Sequence, residues 1–249
     1  MGQYVERRTP INQSPGWYAW PVNDSTQSPV SWKPVPLPER VTHTGRTVVL
    51  EPLDADKHTP DLFAMVDGHD ELWDYLADGP YTDEESLHAA LERKQHANDA
   101  VFFALIPKAL ARCAGYASYM RMDAAHGVIE VGNILMSPAI QRSTAATEAM
   151  YLMARHVFDD LGYRRYEWKC NADNIPSRRA AQRYGFKFEG IFRQHMVVKG
   201  CNRNTAWFSM LDTEWPEQKR VFEAWLDPKN FDMNGSQKKR LEELQSEAK

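Results

Sequence analysis

The stretch from Val128 to Cys170 constrains the architecture most. Val128 to Met136 is β-rich, Pro138 stops it, and a helix follows whose apolar positions Met150, Met153, Val157 and Leu161 step by three, four and four before Gly162 ends it. Tyr166 to Cys170 then reads as a strand. Two strands joined by such a helix form a crossover unit. The runs Ala100 to Ile106 and Ala114 to Met122 precede it, and the turn-like Asp123 to Gly127 links the second of them to Val128, so these three strands read as a meander. The predicted fold class is α/β, a mixed central sheet with one crossover at its centre, and function is expected where that crossover leaves the sheet.

Thr47 to Leu53 supplies an earlier short strand, and acidic helical segments follow at about Asp56 to Val66, Leu72 to Leu76 and Glu84 to His96. After the crossover, Asn174 caps a short helix with Pro176 in its first turn, ending at Gly185. Phe186 to Val198 and Thr205 to Leu211 then close a hairpin around Lys199-Gly200. Residues 1–40 hold seven of the 15 prolines together with Trp17, Tyr18, Trp20 and Trp32, which predicts an extended arm packed on the body or on a partner subunit. The domain proper is read as 41–226, and 227–249 as a polar tail, helical or frayed.

Composition excludes several classes. At 43% hydrophobic and 26% charged the chain is of globular type, and no apolar run reaches the roughly 18 to 20 residues that cross a bilayer, so no membrane role is expected. The polar N-terminus lacks a signal-peptide core, and Cys113, Cys170 and Cys201, without CxxC spacing, suit a cytoplasmic protein with no metal site. A net charge of −4 speaks against nucleic acid as a partner. That average hides an asymmetry: Glu51 to Glu92 carries thirteen acidic residues against Lys57 alone, and Arg164 to Arg183 six basic residues against two acidic ones. The first stretch suits a cationic ligand and the second an anionic one, unless both are simply solvated helix faces.

At the crossover the chain reads Ile134-Leu135-Met136-Ser137-Pro138-Ala139-Ile140-Gln141-Arg142-Ser143-Thr144-Ala145-Ala146. A strand that runs through small residues into a helix N-terminus makes an anion site from unpaired backbone amides and the helix dipole, with Arg142 adding charge; an ordinary capped strand-to-helix connection has the same local pattern. This stretch resembles the acetyl-CoA motif of the GNAT superfamily of N-acetyltransferases, Gln/Arg-x-x-Gly-x-Gly/Ala, with Gln141 and Ala146 in place and Thr144 where the family has Gly. Lys169 to Ser177 and Ala180 to Gly190 are similar to the Asn-x-x-Ser helix and Gly-Phe strand of the RimJ/RimL type, and Thr44 to Leu53 and Trp73 to Leu76 to its opening. The likeness spans roughly Gly45 to Leu211.

The resemblance implies a GNAT fold with helices on both faces and a bulged, splayed fourth strand, whose end at Ile134, Leu135 and Met136 would hold pantetheine through backbone groups. Gln141, Arg142, Ser143, Thr144, Ala145 and Ala146 would hold the pyrophosphate of acetyl-CoA, the co-substrate, with Asn174 and Ser177 near its thioester end. Glu130, a lone carboxylate in an apolar strand, is the candidate base, and Ser177 the candidate acid for the departing thiolate; a solvent-facing Glu and a first-turn helix Ser are the plainer alternatives. Met196 stands where the RimL type carries a glutamate, with His195 beside it as a further candidate base or acceptor-binding group, or simply a packed or solvent-facing residue. Trp73 and Tyr75 offer an aromatic platform for a cation, or serve as core.

The implied activity is acetyl transfer from acetyl-CoA to a primary amine, a small molecule in preference to a peptide N-terminus, with a homodimer compatible. The alternative class is a non-catalytic acyl-CoA-binding or sensing module.

Overall fold

The computed structural model describes residues 31–248. The tryptophan-rich part of the arm, residues 1–30, lies outside the described residues. From Pro34 onward the chain forms one packed unit. It is organised on an eight-stranded sheet of order β1-β2-β3-β4-β5-β6-β8-β7. The strands are β1 (His43–Thr44), β2 (Val48–Pro52), β3 (Ala100–Pro107), β4 (Gly115–Asp123), β5 (Val128–Met136), β6 (Arg165–Asn171), β7 (Lys187–Val198) and β8 (Cys201–Leu211). All neighbours are antiparallel except β5 and β6, which the crossover makes parallel.

Helices cover both faces. On one side α1 (Ala55–Val66) and α2 (Glu84–Gln95) pack Leu62, Leu87 and Leu91 on Phe102, Ala104 and Tyr116. On the other, α3 (Thr144–Arg155), α4 (Ile175–Arg183) and α5 (Trp215–Leu226) bury Met150, Met153, Ala181, Phe222 and Trp225 with Ile129, Val131, Tyr166 and Trp168. Much of the acidic stretch is used locally. Asp54 and Asp83 cap α1 and α2, and Asp56, Glu84 and Glu85 occupy first turns, where the positive end of the helix dipole favours them. Asp78 pairs with Lys94 and Glu51 with Lys57. The exposed remainder that flanks Tyr75 is Asp70, Glu71 and Asp74.

Four differences from the sequence reading have physical causes. The helix predicted up to Leu161 leaves α geometry at His156, where a π turn (His156–Asp160) completes it. Leu72 to Leu76 forms only a 3-10 turn, Asp70–Trp73. The second hairpin strand begins at Cys201, four residues early, because the polar Asn202, Arg203 and Asn204 continue the pairing with β7. Beyond Trp225 the tail is docked: α6 (Leu241–Glu247) buries Leu241 completely, and Gln237 accepts from the indole of Trp225 at 2.9 Å. Residues 34–40, the described end of the arm, pack on the body as expected of it; Arg40 caps α2 by donating to the carbonyls of Gln95 and Ala97.

Candidate active site

β5 and β6 run side by side only from Val128↔Arg165 to Val131↔Trp168. Beyond that point β5 stays with β4, as Tyr116↔Leu135 and Gly115↔Met136, while β6 follows β8 up to Asn171↔Thr205. The strands diverge there because β5 carries a bulge: three steps from Gly132 to Leu135 face two from Ser118 to Tyr116, with Asn133 in the left-handed region at φ 48. Gly132 makes room for this, since a Cβ there would meet the Met120 sulfur at 2.5 Å. The backbone of Ile134, Leu135 and Met136 thus keeps its ladder with β4 on one edge and faces the gap left by β6 on the other.

At the end of the cleft a tight loop leads into α3. Gln141 donates to the Met136 carbonyl at 3.0 Å, Arg142 turns the chain at φ 59, and the Ser143 hydroxyl caps the helix by accepting from Ala146 N at 3.1 Å. The first turn of a helix leaves its amides without intrahelical partners, so those of Thr144 and Ala145 face outward beside the exposed Arg142. Thr144 is not among the left-handed residues, so a side chain in place of Gly adds bulk at the helix start without backbone strain. A cleft whose strand is unpaired along one edge and that opens onto a capped helix N-terminus fits the pantetheine arm and pyrophosphate of acetyl-CoA. The Gln141 side chain bridges the ends of this loop through the Met136 carbonyl.

Glu130 is buried, at 3% exposure, but it is not alone. Its Oε2 pairs with Arg121 at 2.9 Å and with Lys169 at 3.0 Å; Lys169 also pairs with Glu167 at 2.6 Å, and Arg165 with Glu167 and Glu189. The expectation of a lone carboxylate is therefore corrected to one member of a charged row. Lys169 lies 3.7 Å from the centre of the Trp207 ring. Strand alternation marks this row in the sequence, since Arg165, Glu167 and Lys169 recur at every second position; read only as net charge, it passed unseen. The basic stretch is correspondingly divided: Arg165 and Lys169 serve this row, while Arg178, Arg179 and Arg183 lie on α4, where Arg183 donates to Thr147 Oγ1 at 3.1 Å.

Ser177 lies across the sheet from Glu130. Its hydroxyl accepts from the indole of Trp168 at 3.0 Å, and its amide donates to Asn174 Oδ1 at 3.0 Å, which commits the Asn174 oxygen to capping α4. His195 sits in a β7 bulge with Nδ1 2.9 Å from Thr205 Oγ1 and its ring beside the contacting pair Phe192 and Trp207. Tyr75, 39% exposed, reaches over to the Asp173 carbonyl at 3.3 Å. Trp73 is 2% exposed with its ring edge-on to Tyr81, and it packs where a Cβ on Gly79 would clash, so it is core and offers no platform. Its carbonyl accepts from Lys199 at the tip of the β7–β8 hairpin, at 2.8 Å. Hairpin tip, Tyr75 and the β6–α4 loop are thereby joined around one end of the sheet. Sequence reading missed Glu148 as well: its carboxylate accepts from the amides of Arg46 and Thr47 at 2.7 and 2.5 Å and from the Thr47 hydroxyl, fastening α3 to the start of β2.

A family model described as an acetyltransferase (GNAT) domain matches residues 47–187. The crystal structure of a GCN5-related N-acetyltransferase from Brucella melitensis is 51% identical and superposes with a TM-score of 0.85 over 87% of this chain and 99% of that one. A probable acetyltransferase of the GNAT family from Chromobacterium violaceum is 39% identical, with a TM-score of 0.73 over 80% of this chain and 100% of its own. The uncharacterized N-acetyltransferase YnaD of Bacillus subtilis is 26% identical over 145 residues, which is 57% of this chain and 81% of that protein.

Proposed function

Because the chain belongs to the GNAT acetyltransferase family and is thus an acyltransferase, we propose that it is a cytoplasmic enzyme of RimJ/RimL type that moves an acetyl group from acetyl-CoA to a primary amine, a small molecule rather than a protein N-terminus. The observation that carries this reading is the cleft where β5 leaves β6 beyond Val131 and Trp168 and runs into the capped start of α3. In it, the backbone of Ile134 to Met136 and the amides of Thr144 and Ala145 hold the co-substrate, with Arg142 near its phosphates. Bound there, acetyl-CoA supplies an activated acetyl thioester.

The two sides of the sheet divide the proton work. Glu130 faces the acceptor side and takes the proton of the ammonium, directly or through a water. Ser177 stands on the α4 side; its oxygen accepts from Trp168 and its hydroxyl also bonds the Cys170 thiol, a contact that it exchanges for the departing thiolate when it gives up its hydrogen. Met196 in place of a carboxylate and the acidic surface around Tyr75 favour a small cationic amine over a ribosomal-protein N-terminus.

Calorimetric titration with acetyl-CoA and with free CoA tests the cleft, and thiol release over a panel of polyamines, amino sugars, amino acids and peptides tests the transfer. Binding in the micromolar range, about −8 kcal/mol, with turnover of at least one amine is expected. Binding without release across the panel would leave an acyl-CoA sensor. Glu130→Gln should lower kcat about 100-fold or more with acetyl-CoA affinity retained; lost stability with kcat retained would make Glu130 the centre of a structural ion pair and nothing else.

A further inference from the structure

The charged row beside Glu130 does not balance. Its carboxylates are Glu130, Glu167 and Glu189; its cations are Arg121, Arg165, Lys169 and Arg203. Arg121, Arg165 and Lys169 are all ion-paired, whereas Arg203 forms no ion pair and no hydrogen bond among the described residues, and its Nε is buried without an acceptor. Other arginines shielded from water are each given an oxygen: Arg46 the Leu226 carbonyl, Arg178 the Ala172 carbonyl, Arg183 the Thr147 hydroxyl. A half-buried guanidinium with no partner is costly, and an anionic ligand that paired with it would relieve that cost.

The position is informative. On β8, Arg203 alternates with Thr205 and Trp207, so the three share the side of the sheet that carries Lys169, cross-strand partner of Trp207. Arg203 lies two residues past Thr205, the last β8 residue paired with β6, opposite Met196, and within electrostatic reach of Glu130 and Arg121. It therefore stands on the Glu130 side of the sheet, at the end where β6 has left β8. Trp207 Nε1 is a second buried donor on this side without an acceptor. Burial, the largest influence, pushes the guanidinium below its usual range, as does Arg121, while Cys170 and Glu130 oppose them.

Resting on the acetyl-transfer reading, we propose that Arg203 is the anion-binding residue of the acceptor site, so that the preferred acceptor is an amine that also carries a carboxylate or phosphate. The acidic surface near Tyr75 draws the ammonium end, and Arg203, with a planar fork of donors, takes the anionic oxygens. The thiol-release assay tests this with matched acceptors, lysine against cadaverine, ornithine against putrescine, and phosphoethanolamine against ethanolamine, on the wild type, Arg203→Gln and Arg203→Lys. The wild type is expected to favour an anionic member by about tenfold or more in kcat/KM, mainly through KM, and the pair that shows it separates carboxylate from phosphate. Arg203→Gln erases the preference and Arg203→Lys restores part of it, with acetyl-CoA affinity within twofold of wild type in both.

A second readout does not depend on turnover. N-acetylated amino acids and inorganic phosphate should raise the Tm of the wild type and not that of Arg203→Gln, whose own Tm without ligand should equal or exceed the wild type's, since an unpaired charge has been removed. Equal or better use of the uncharged amines by the wild type, equal losses on both members of each pair in Arg203→Gln, or anion stabilisation that survives the substitution would each overturn the proposal. Failure of acetyl-CoA itself to bind would instead overturn the acetyl-transfer reading, and the stabilisation measurement would still decide whether Arg203 holds anions.

Discussion

His43 and His156 face each other with ring centres 4.5 Å apart, inside the core and away from the cleft. His156 Nδ1 is held by Asp160 at 2.8 Å, while His43 Nε2 has no acceptor, and Phe103 and Tyr119 close the space around the pair. Burial, then the neighbouring His156, then Arg155 lower the pKa of His43 from 6.5 to about 4, and Asp160 only partly opposes them. The native state thus keeps this imidazole neutral where the unfolded chain protonates it. Between pH 6.5 and about 4 the unfolded state binds more protons, so stability is full above 6.5 and falls on acidification until the native ring itself protonates near 4. The loss is expected to be on the order of 2 kcal/mol once solvent screening is allowed for. Urea unfolding of wild type and His43→Phe across this range checks it. The variant should show a shallower slope, with a remainder from His58, whose pKa burial also lowers.

At the scale of elements, what was legible in the sequence follows from periodicity and caps. The core strands, α1 to α4 and the crossover were readable because apolar spacing and the residues Asp54, Asp83 and Asn174 mark them locally. Helix α5 was not predicted at all; its apolar face, Trp215, Val221, Phe222, Trp225 and Leu226, lies between charged residues and takes its meaning from α3 and α4 behind it. The candidate site was legible as a place, and less so as chemistry. Glu130 and Ser177 were named, but Lys169, Arg121 and Trp168, which hold them, come from other strands and are set by register.

The bulge in β5 is the element on which the cleft depends, and Asn133 is its only left-handed residue. A β-branched side chain at φ 48 is strained by about 1–2 kcal/mol, whereas Gly adopts it freely. Asn133→Val should therefore lose about that much stability and weaken acetyl-CoA binding severalfold as β5 is drawn straight. Asn133→Gly should retain both, as read by urea unfolding and calorimetric titration.

Across the whole molecule the two apolar clusters are secured differently. The cluster under α1 and α2 is closed by the sheet, these helices and the turn that carries Trp73, with nothing from the tail. The larger one, under α3, α4 and α5, is completed by α6, which buries Leu241 and carries Gln245, a donor to the Arg183 carbonyl at 2.9 Å and to Gln218 at 3.0 Å. Arg183 in turn reaches Thr147 in the first turns of α3, so the tail is linked through α4 to the helix that opens the cofactor cleft. Removing residues 231–249 takes away a fully buried leucine and these hydrogen bonds, about 3 kcal/mol in all. For a domain of this size that corresponds to a Tm lower by about 6–12 °C. Hydrogen exchange locates the effect: amides of α4 and α5 should lose protection in the truncated protein, while those of α1 and α2 keep theirs because their cluster has lost no member. Loss of protection spread evenly over both helix layers would mean that the two clusters unfold as one, and that the tail stabilises the sheet as a whole instead of one side of it.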